Sequence, residues 1–232
     1  MRLSPIVLVH AYLRKVTQKR IFSGPFQGLF YVGESIGSSY FPKILGIYER
    51  ELHGILEANK LDTFDKIVVI GAGEGYYAVG LAKKWKRPVV AFEEDKKGRD
   101  LITRLALINR TEVFIKNSFE ASTDTQSKKD FILMDIEGGE EELLDSDRFD
   151  AWKESVILVE VHSNEIKEKL CERSYLTHNS FFTPVVERTL RDYPFKPPFA
   201  RLFKRWWWAS VQEWRSDSIG WVIFEPKAML NQ

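Results

Sequence analysis

A single cysteine, Cys171, stands in 232 residues, so no disulfide can close within the chain, and that usage is compatible with a reducing cytosol. No run of residues approaches the eighteen or so consecutive apolar positions needed to cross a bilayer. The opening MRLSPIVLVHAYLRK is apolar only briefly, is interrupted by His10 and Arg14, and lacks a small-residue cleavage site, so it does not read as a signal peptide. Neither sign of charge is in surplus: 34 Lys and Arg against 33 Asp and Glu leave a net +1, without the basic excess of a typical nucleic-acid binder. Internal repeats and low-complexity tracts are also missing. These absences predict a soluble or at most peripheral cytoplasmic protein with no transmembrane segment and no nucleic-acid partner.

What is present is 44% hydrophobic content, enough for one substantial α/β domain with a small appendage. Apolar runs near 66–71, 88–93, 112–116, 130–135 and 155–161 read as strands, and amphipathic stretches near 75–86, 96–109, 139–145 and 164–173 read as helices between them. That alternation predicts a parallel sheet. In the helix over 96–109, Leu101, Leu105 and Ile108 mark the buried face. Ahead of the sheet, Ser4-Pro5 opens a helix with Ile6, Val7, His10, Leu13 and Val16 on one face and Arg14, Lys15, Lys19 and Arg20 toward its end. Those cations suit the helix dipole, or else form a basic face for an anionic membrane or partner. Leu29–Val32 reads as a short strand, and a second helix runs from Pro42 to Leu56. Beyond residue 180, Thr183–Leu190 and Ile219–Phe224 read as two more strands.

Ile67-Val68-Val69-Ile70-Gly71-Ala72-Gly73-Glu74-Gly75-Tyr76 carries an apolar strand straight into three closely spaced glycines and then a helix. Removing every other Cβ lets a nucleotide approach the main chain, with the positive end of the helix behind it. A dinucleotide fingerprint places its third glycine where Tyr76 stands, which disfavours a nicotinamide cofactor. The observed G-x-G-x-G spacing resembles instead that of S-adenosylmethionine-dependent methyltransferases with a Rossmann-like sheet. About twenty residues on, Pro88–Phe92 reads as a second strand ending in Glu93, where a carboxylate can accept hydrogen bonds from both ribose hydroxyls. Alternatively, Glu93, Glu94 and Asp95 cap the following helix.

A further strand ends in Asp135-Ile136-Glu137-Gly138-Gly139-Glu140, and its neighbour ends in Glu160-Val161-His162. The carboxyl ends of parallel strands share one crevice, so Asp135 is expected beside Gly73 and Glu93, with Glu160 and His162 on one side of their strand.

With these residues the chain resembles the FkbM-like methyltransferases. The shared segments are Ile70–Tyr77, Ala91-Phe92-Glu93 with Asn109, Asp135–Glu140 with Leu143 and Leu144, and Val159–His162. The resemblance spans roughly residues 65–165, and the D-x-E-G-x-E segment is its most specific part. Upstream, Gly24-Pro25-Phe26 and Phe41–Glu49 look like a subset of the family. The resemblance implies a seven-stranded sheet, mostly parallel with an antiparallel terminal strand, helices on both faces and an N-terminal helical extension. It divides the chain into an extension and lid over 1–60 and a methyltransferase domain over 61–232, with an aromatic and basic insertion at about 191–218. Cofactor contacts are expected from Gly71, Ala72, Gly73, Gly75, Tyr76, Glu93, Glu94, Ser118 and Asp135. One position departs: relatives carry an acid two residues before the first glycine, and here it is Val69, with Glu49, Glu74 or Asp135 as substitutes.

The implied reaction is methylation of a hydroxyl on a glycan or small metabolite. A protonated hydroxyl is a poor nucleophile, so a base is needed, with His162 first and Asp135 second. Alternatively, Asp135, Glu160 and His162 hold a divalent metal that acidifies the acceptor. Glu137 and Glu140 read as helix-start acids. Trp206-Trp207-Trp208 cannot share one helix face, so the segment reads as a lid, a homodimer contact or a platform for a sugar or base. A catalytically silent binding protein of the same fold, or an NAD-dependent oxidoreductase, stands as the alternative.

Overall fold

The computed structural model describes residues 4–58, 64–119, 129–215 and 218–227. The expected boundary between residues 60 and 61 lies outside them. The strands are β1 (Lys66–Ile70), β2 (Val89–Phe92), β3 (Phe114–Lys116), β4 (Asp130–Met134), β5 (Val156–Val161), β6 (His178–Pro184) and β7 (Gly220–Pro226). The helices are α1 (Pro5–Thr17), α2 (Tyr40–Leu45), α3 (His53–Glu57), α4 (Tyr76–Trp85), α5 (Lys96–Asn109), α6 (Glu140–Leu143), α7 (Ser146–Ala151), α8 (Asn164–Ser174) and α9 (Lys204–Ala209). Two compact units form, one from Met1–Glu57 with Val186–Arg215, the other from Ala58–Val185 with Ser216–Gln232.

The second unit holds a seven-stranded sheet in the order β3-β2-β1-β4-β5-β7-β6. Strands β1 to β5 pair parallel, and β7 enters antiparallel between β5 and β6. This is the expected sheet. Its central strands are buried on both faces because each residue, whichever way it points, meets a helix. Ile132, Met134, Val159 and Phe224 pack with Phe149 of α7 and Leu170 of α8 on one face. On the other, Phe131 meets Trp85 edge-on at 4.9 Å, and Trp221 meets Tyr77 of α4 at 6.4 Å.

Four expectations need correction. Strand β6 covers 178–184, not 183–190, because its partner β7 begins at Gly220 opposite Pro184 and offers no ladder beyond it. The helix expected over 42–56 stops at Gly46 (φ 75°), where a Cβ would lie 1.8 Å from the Ser23 carbonyl oxygen, and helix resumes in α3. Leu29–Val32 contributes only a bridge between Arg20 and Phe30. Ile108 and Val7 are exposed: α5 buries Leu101, Ile102, Leu105 and Asn109, and α1 buries Val9, Leu13 and Thr17.

The first unit is tied together by buried charge. Arg188 binds Glu51 and, at 2.6 Å, Glu213, while Arg215 binds Glu51 at 2.7 Å and Glu49 at 3.5 Å. All five side chains are almost fully buried. Burial raises the Glu213 carboxyl, and neighbouring Glu51 adds to this, even though Arg188 and Arg215 pull it down. Trp207 is buried against Tyr12 and Tyr193, whereas Trp208 is exposed, as three consecutive tryptophans on a helix require.

Candidate active site

The register aligns three strand ends. Ile70 pairs with both Phe92 and Met134, so Gly71, Glu93 and Asp135 each follow one of three neighbouring residues. Gly71, Gly73 and Gly75 all have positive φ, at 78°, 55° and 95°. A Cβ on Gly71 would lie 1.7 Å from the Asp135 carbonyl oxygen, so β1 and the loop after β4 touch through bare backbone. The Gly71 and Ala72 amides donate to the Phe92 carbonyl at 3.0 Å each, which folds the turn over the end of β2.

Glu93 is fixed by two backbone donors: the Gly73 amide reaches its Oε2 at 2.6 Å and the Asp95 amide its Oε1 at 2.9 Å. Each oxygen keeps lone-pair capacity for a ligand hydroxyl. Asp95, not Glu93, caps α5, accepting from the Lys97 amide at 3.0 Å. Gly98, in the first turn of α5, is buried against this pair, and a Cβ there would lie 2.6 Å from Glu93 Cγ and 2.8 Å from the Gly73 carbonyl oxygen. Its role was missed in the sequence, where the only signal was a glycine inside an otherwise good helix three residues after the acid cluster. Glu94 and Ser118 are exposed nearby in the chain, after β2 and β3, while Ala72 and Tyr76 are buried. Val69 is fully buried between Ala91 and Leu133. Of its expected substitutes, Glu74 is buried, and Glu49 engages Arg215 in the other unit.

At the ends of β4 and β5, His162 lies among acids. Its Nε2 is 3.3 Å from Glu137 Oε2 and its Nδ1 3.7 Å from Glu140 Oε1. Glu140 is wholly buried and accepts from the amides of Gly138 at 3.2 Å and Ile136 at 3.3 Å, so it pins the turn it follows. That turn carries Glu137 in a left-handed conformation (φ 56°), which brings its carboxylate to the histidine. Asp135, Glu137 and His162 each place a donor atom within 4.8 Å of the others. Glu160 is not in this group; it is buried in β5 opposite Trp221.

Residues 113–197 match the family model described as "Methyltransferase FkbM domain". No curated protein sequence matches the chain. The fold is similar to that of a methyltransferase from Pyrococcus furiosus, 12% identical, with a TM-score of 0.52 over 96% of this chain and 99% of that one. A precorrin-6y C5,15-methyltransferase from Geobacter metallireducens GS-15 aligns over 71% of this chain and 81% of its own, at 16% identity and a TM-score of 0.46. A ribosomal protein L11 methylase from Lactobacillus delbrueckii subsp. bulgaricus aligns over 82% and 81%, at 13% identity and 0.45. Among the described residues no helix is long and apolar enough to cross a membrane.

Proposed function

We propose that the protein methylates a hydroxyl of a glycan or small metabolite using S-adenosylmethionine, a reading supported by the match of residues 113–197 to the FkbM methyltransferase domain and by the seven-stranded sheet that holds the site. The observation that carries this reading is Glu93, held by the Gly73 amide at 2.6 Å beside a turn where all three glycines have positive φ. A rigid acid beside open backbone suits a ribose. S-adenosylmethionine supplies an electrophilic methyl carbon when bound. Gly71, Ala72, Gly73, Gly75 and Tyr76 form the main-chain side of its site, Glu93 takes the ribose hydroxyls, Glu94 and Ser118 border the base, and Asp135 faces the methionine end.

Methyl transfer is an in-line displacement, so the protein chiefly aligns the acceptor and excludes water. His162 takes the acceptor's proton on Nε2, since its Nδ1 is buried toward Glu140, and Glu137, 3.3 Å from Nε2, stabilises the imidazolium that forms. Calorimetric titration of the chain with S-adenosylmethionine, its demethylated product and NAD tests the reading. Binding of the first two, lost on Glu93→Ala, supports it. NAD binding alone would point to an oxidoreductase, and product binding without turnover on any acceptor would point to a silent module.

The approach of Asp135, Glu137 and His162 to within 4.8 Å favours a second reading of the same site. One nitrogen and two carboxylate oxygens suit a divalent cation that lowers the acceptor's pKa, with Glu137 in the place expected of Glu160. Methyl transfer that survives a chelator supports the base. Transfer lost to the chelator and restored by magnesium or manganese supports the cation.

A further inference from the structure

The near-neutral chain is the sum of two opposed halves. The unit of Met1–Glu57 and Val186–Arg215 contains fourteen Lys and Arg against seven Asp and Glu, whereas the sheet-bearing unit contains twenty against twenty-six. In the basic unit, Glu49, Glu51 and Glu213 are buried against Arg188 and Arg215, and Asp192 is paired with Arg50. Its surface is therefore more cationic than the count suggests, with Arg14, Lys15, Arg201, Lys204 and Arg205 all exposed.

The same unit exposes large apolar side chains among those cations. Phe199 and Leu202, on either side of Arg201, are 72% and 73% exposed at a turn closed by the Leu202 amide on the Phe199 carbonyl. Trp208 and Trp214 are exposed and meet edge-on at 5.9 Å. Helix α1 packs against α9, and Tyr12 sets its ring edge-on to buried Trp207 at 5.7 Å. Leu8, half exposed, and Lys15 lie one turn either side of Tyr12 on the same stripe of α1. Trp207 also donates its indole N–H to the Pro198 carbonyl at 3.1 Å, which ties the Phe199 turn to α9.

We propose that this face docks the protein on an anionic lipid bilayer, with Phe199, Leu202, Leu8 and the two tryptophans entering the headgroup boundary and the surrounding cations meeting lipid phosphates. Aromatic and aliphatic tips ringed by Lys and Arg are what an interfacial site requires. Charge complementarity selects an anionic surface, and the aliphatic Leu8 and Leu202 select lipid over nucleic acid, which would use only the aromatic faces. Exposed Phe181 and Phe182 on β6 lie in the unit with the acidic surplus, which an anionic surface repels. The inference does not depend on the methyltransferase reading.

The test is co-sedimentation of the full chain with vesicles of phosphatidylcholine alone and of phosphatidylcholine with phosphatidylglycerol, at low and high salt. Binding to the anionic vesicles only, weakened by salt, is expected. It should fall at least tenfold in F199D/L202D and in K204E/R205E, with circular dichroism unchanged because these side chains are exposed. Absence of binding to anionic vesicles, equal binding by the variants, or binding to a single-stranded oligonucleotide in place of the vesicles overturns the proposal.

Discussion

Replacing Gly98 by alanine probes the cofactor end of the site without touching an ionisable group. A Cβ at this position would lie 2.6 Å from Glu93 Cγ, 3.0 Å from Glu93 Cδ and 2.8 Å from the Gly73 carbonyl oxygen, where about 3.5 Å is ordinary contact. Close to 1 Å must therefore be found, and the Glu93 side chain is the part able to move. Moving it breaks its bonds from the Gly73 and Asp95 amides, at 2.6 and 2.9 Å. Charge-assisted bonds are worth roughly 1.5–3 kcal/mol each, whereas alanine improves on glycine inside a helix by only about 1 kcal/mol. The variant should thus lose roughly 2–5 kcal/mol of stability. Losing one ribose contact of the same kind should weaken S-adenosylhomocysteine binding by about 10- to 150-fold. Calorimetric unfolding and titration of Gly98→Ala, Glu93→Ala and the double variant give both quantities. The two changes should be partly non-additive, since Glu93→Ala removes the contacts with Cγ and Cδ but leaves the 2.8 Å approach to the Gly73 carbonyl oxygen. A folded Gly98→Ala protein that binds with unchanged affinity would refute both the clash and the role given to Glu93.

Gly71→Ala faces backbone at 1.7 Å with no side chain to yield, so it should fail to fold or lose several kcal/mol, read as insoluble expression or a collapsed unfolding midpoint. Arg188→Met leaves three buried carboxylates, Glu49, Glu51 and Glu213, to Arg215 alone and should cost roughly 3–5 kcal/mol in chemical denaturation, while a measured cost near zero would mean the cluster is solvated. Burial lowers His178, whose ring packs on Phe149 and Phe224 and lies 3.1 Å from the Ser155 carbonyl through Nε2. The unfolded chain then binds the proton more readily than the native one, so this contribution is complete above about pH 6.5 and declines as pH falls through that value, by at most about 1.4 kcal/mol per pH unit. His178→Gln should flatten the midpoint-versus-pH curve below pH 6.5 relative to wild type; an unchanged slope would place the titration in His10 or His53, which burial also lowers.

The sheet was legible because β1, β4 and β5 are apolar at every position or nearly so, a pattern that only a strand covered on both faces sustains. The glycine turn was legible because closely spaced glycines directly after an apolar strand mark it, and Glu93 because it directly follows the next strand, although the contacts that fix both are long-range. The surroundings of His162 were not. Alternation along β5 pointed to Glu160, but the left-handed Glu137 turns the loop after β4 back on itself and supplies the nearer carboxylate. The basic unit was equally hidden, since Glu51 and Arg188 meet across 137 positions that no periodicity connects. Gly46 and the short reach of β7 decided where α2 and β6 end, and both are matters of what the neighbouring backbone permits.

The insertion of β7 between β5 and β6 also fixes an order of events during synthesis. Strand β6 has only β7 as a neighbour in the sheet, and the segment Val186–Arg215 that completes the first unit is made between them. Strands β1 to β5 can pair as the chain emerges, but β6 must wait for residues 220–226. Until then the flank of β5 and the aromatic side chains of β6 lack their partner strand, so a chain that ends near residue 215 leaves the sheet-bearing unit one strand short of closure.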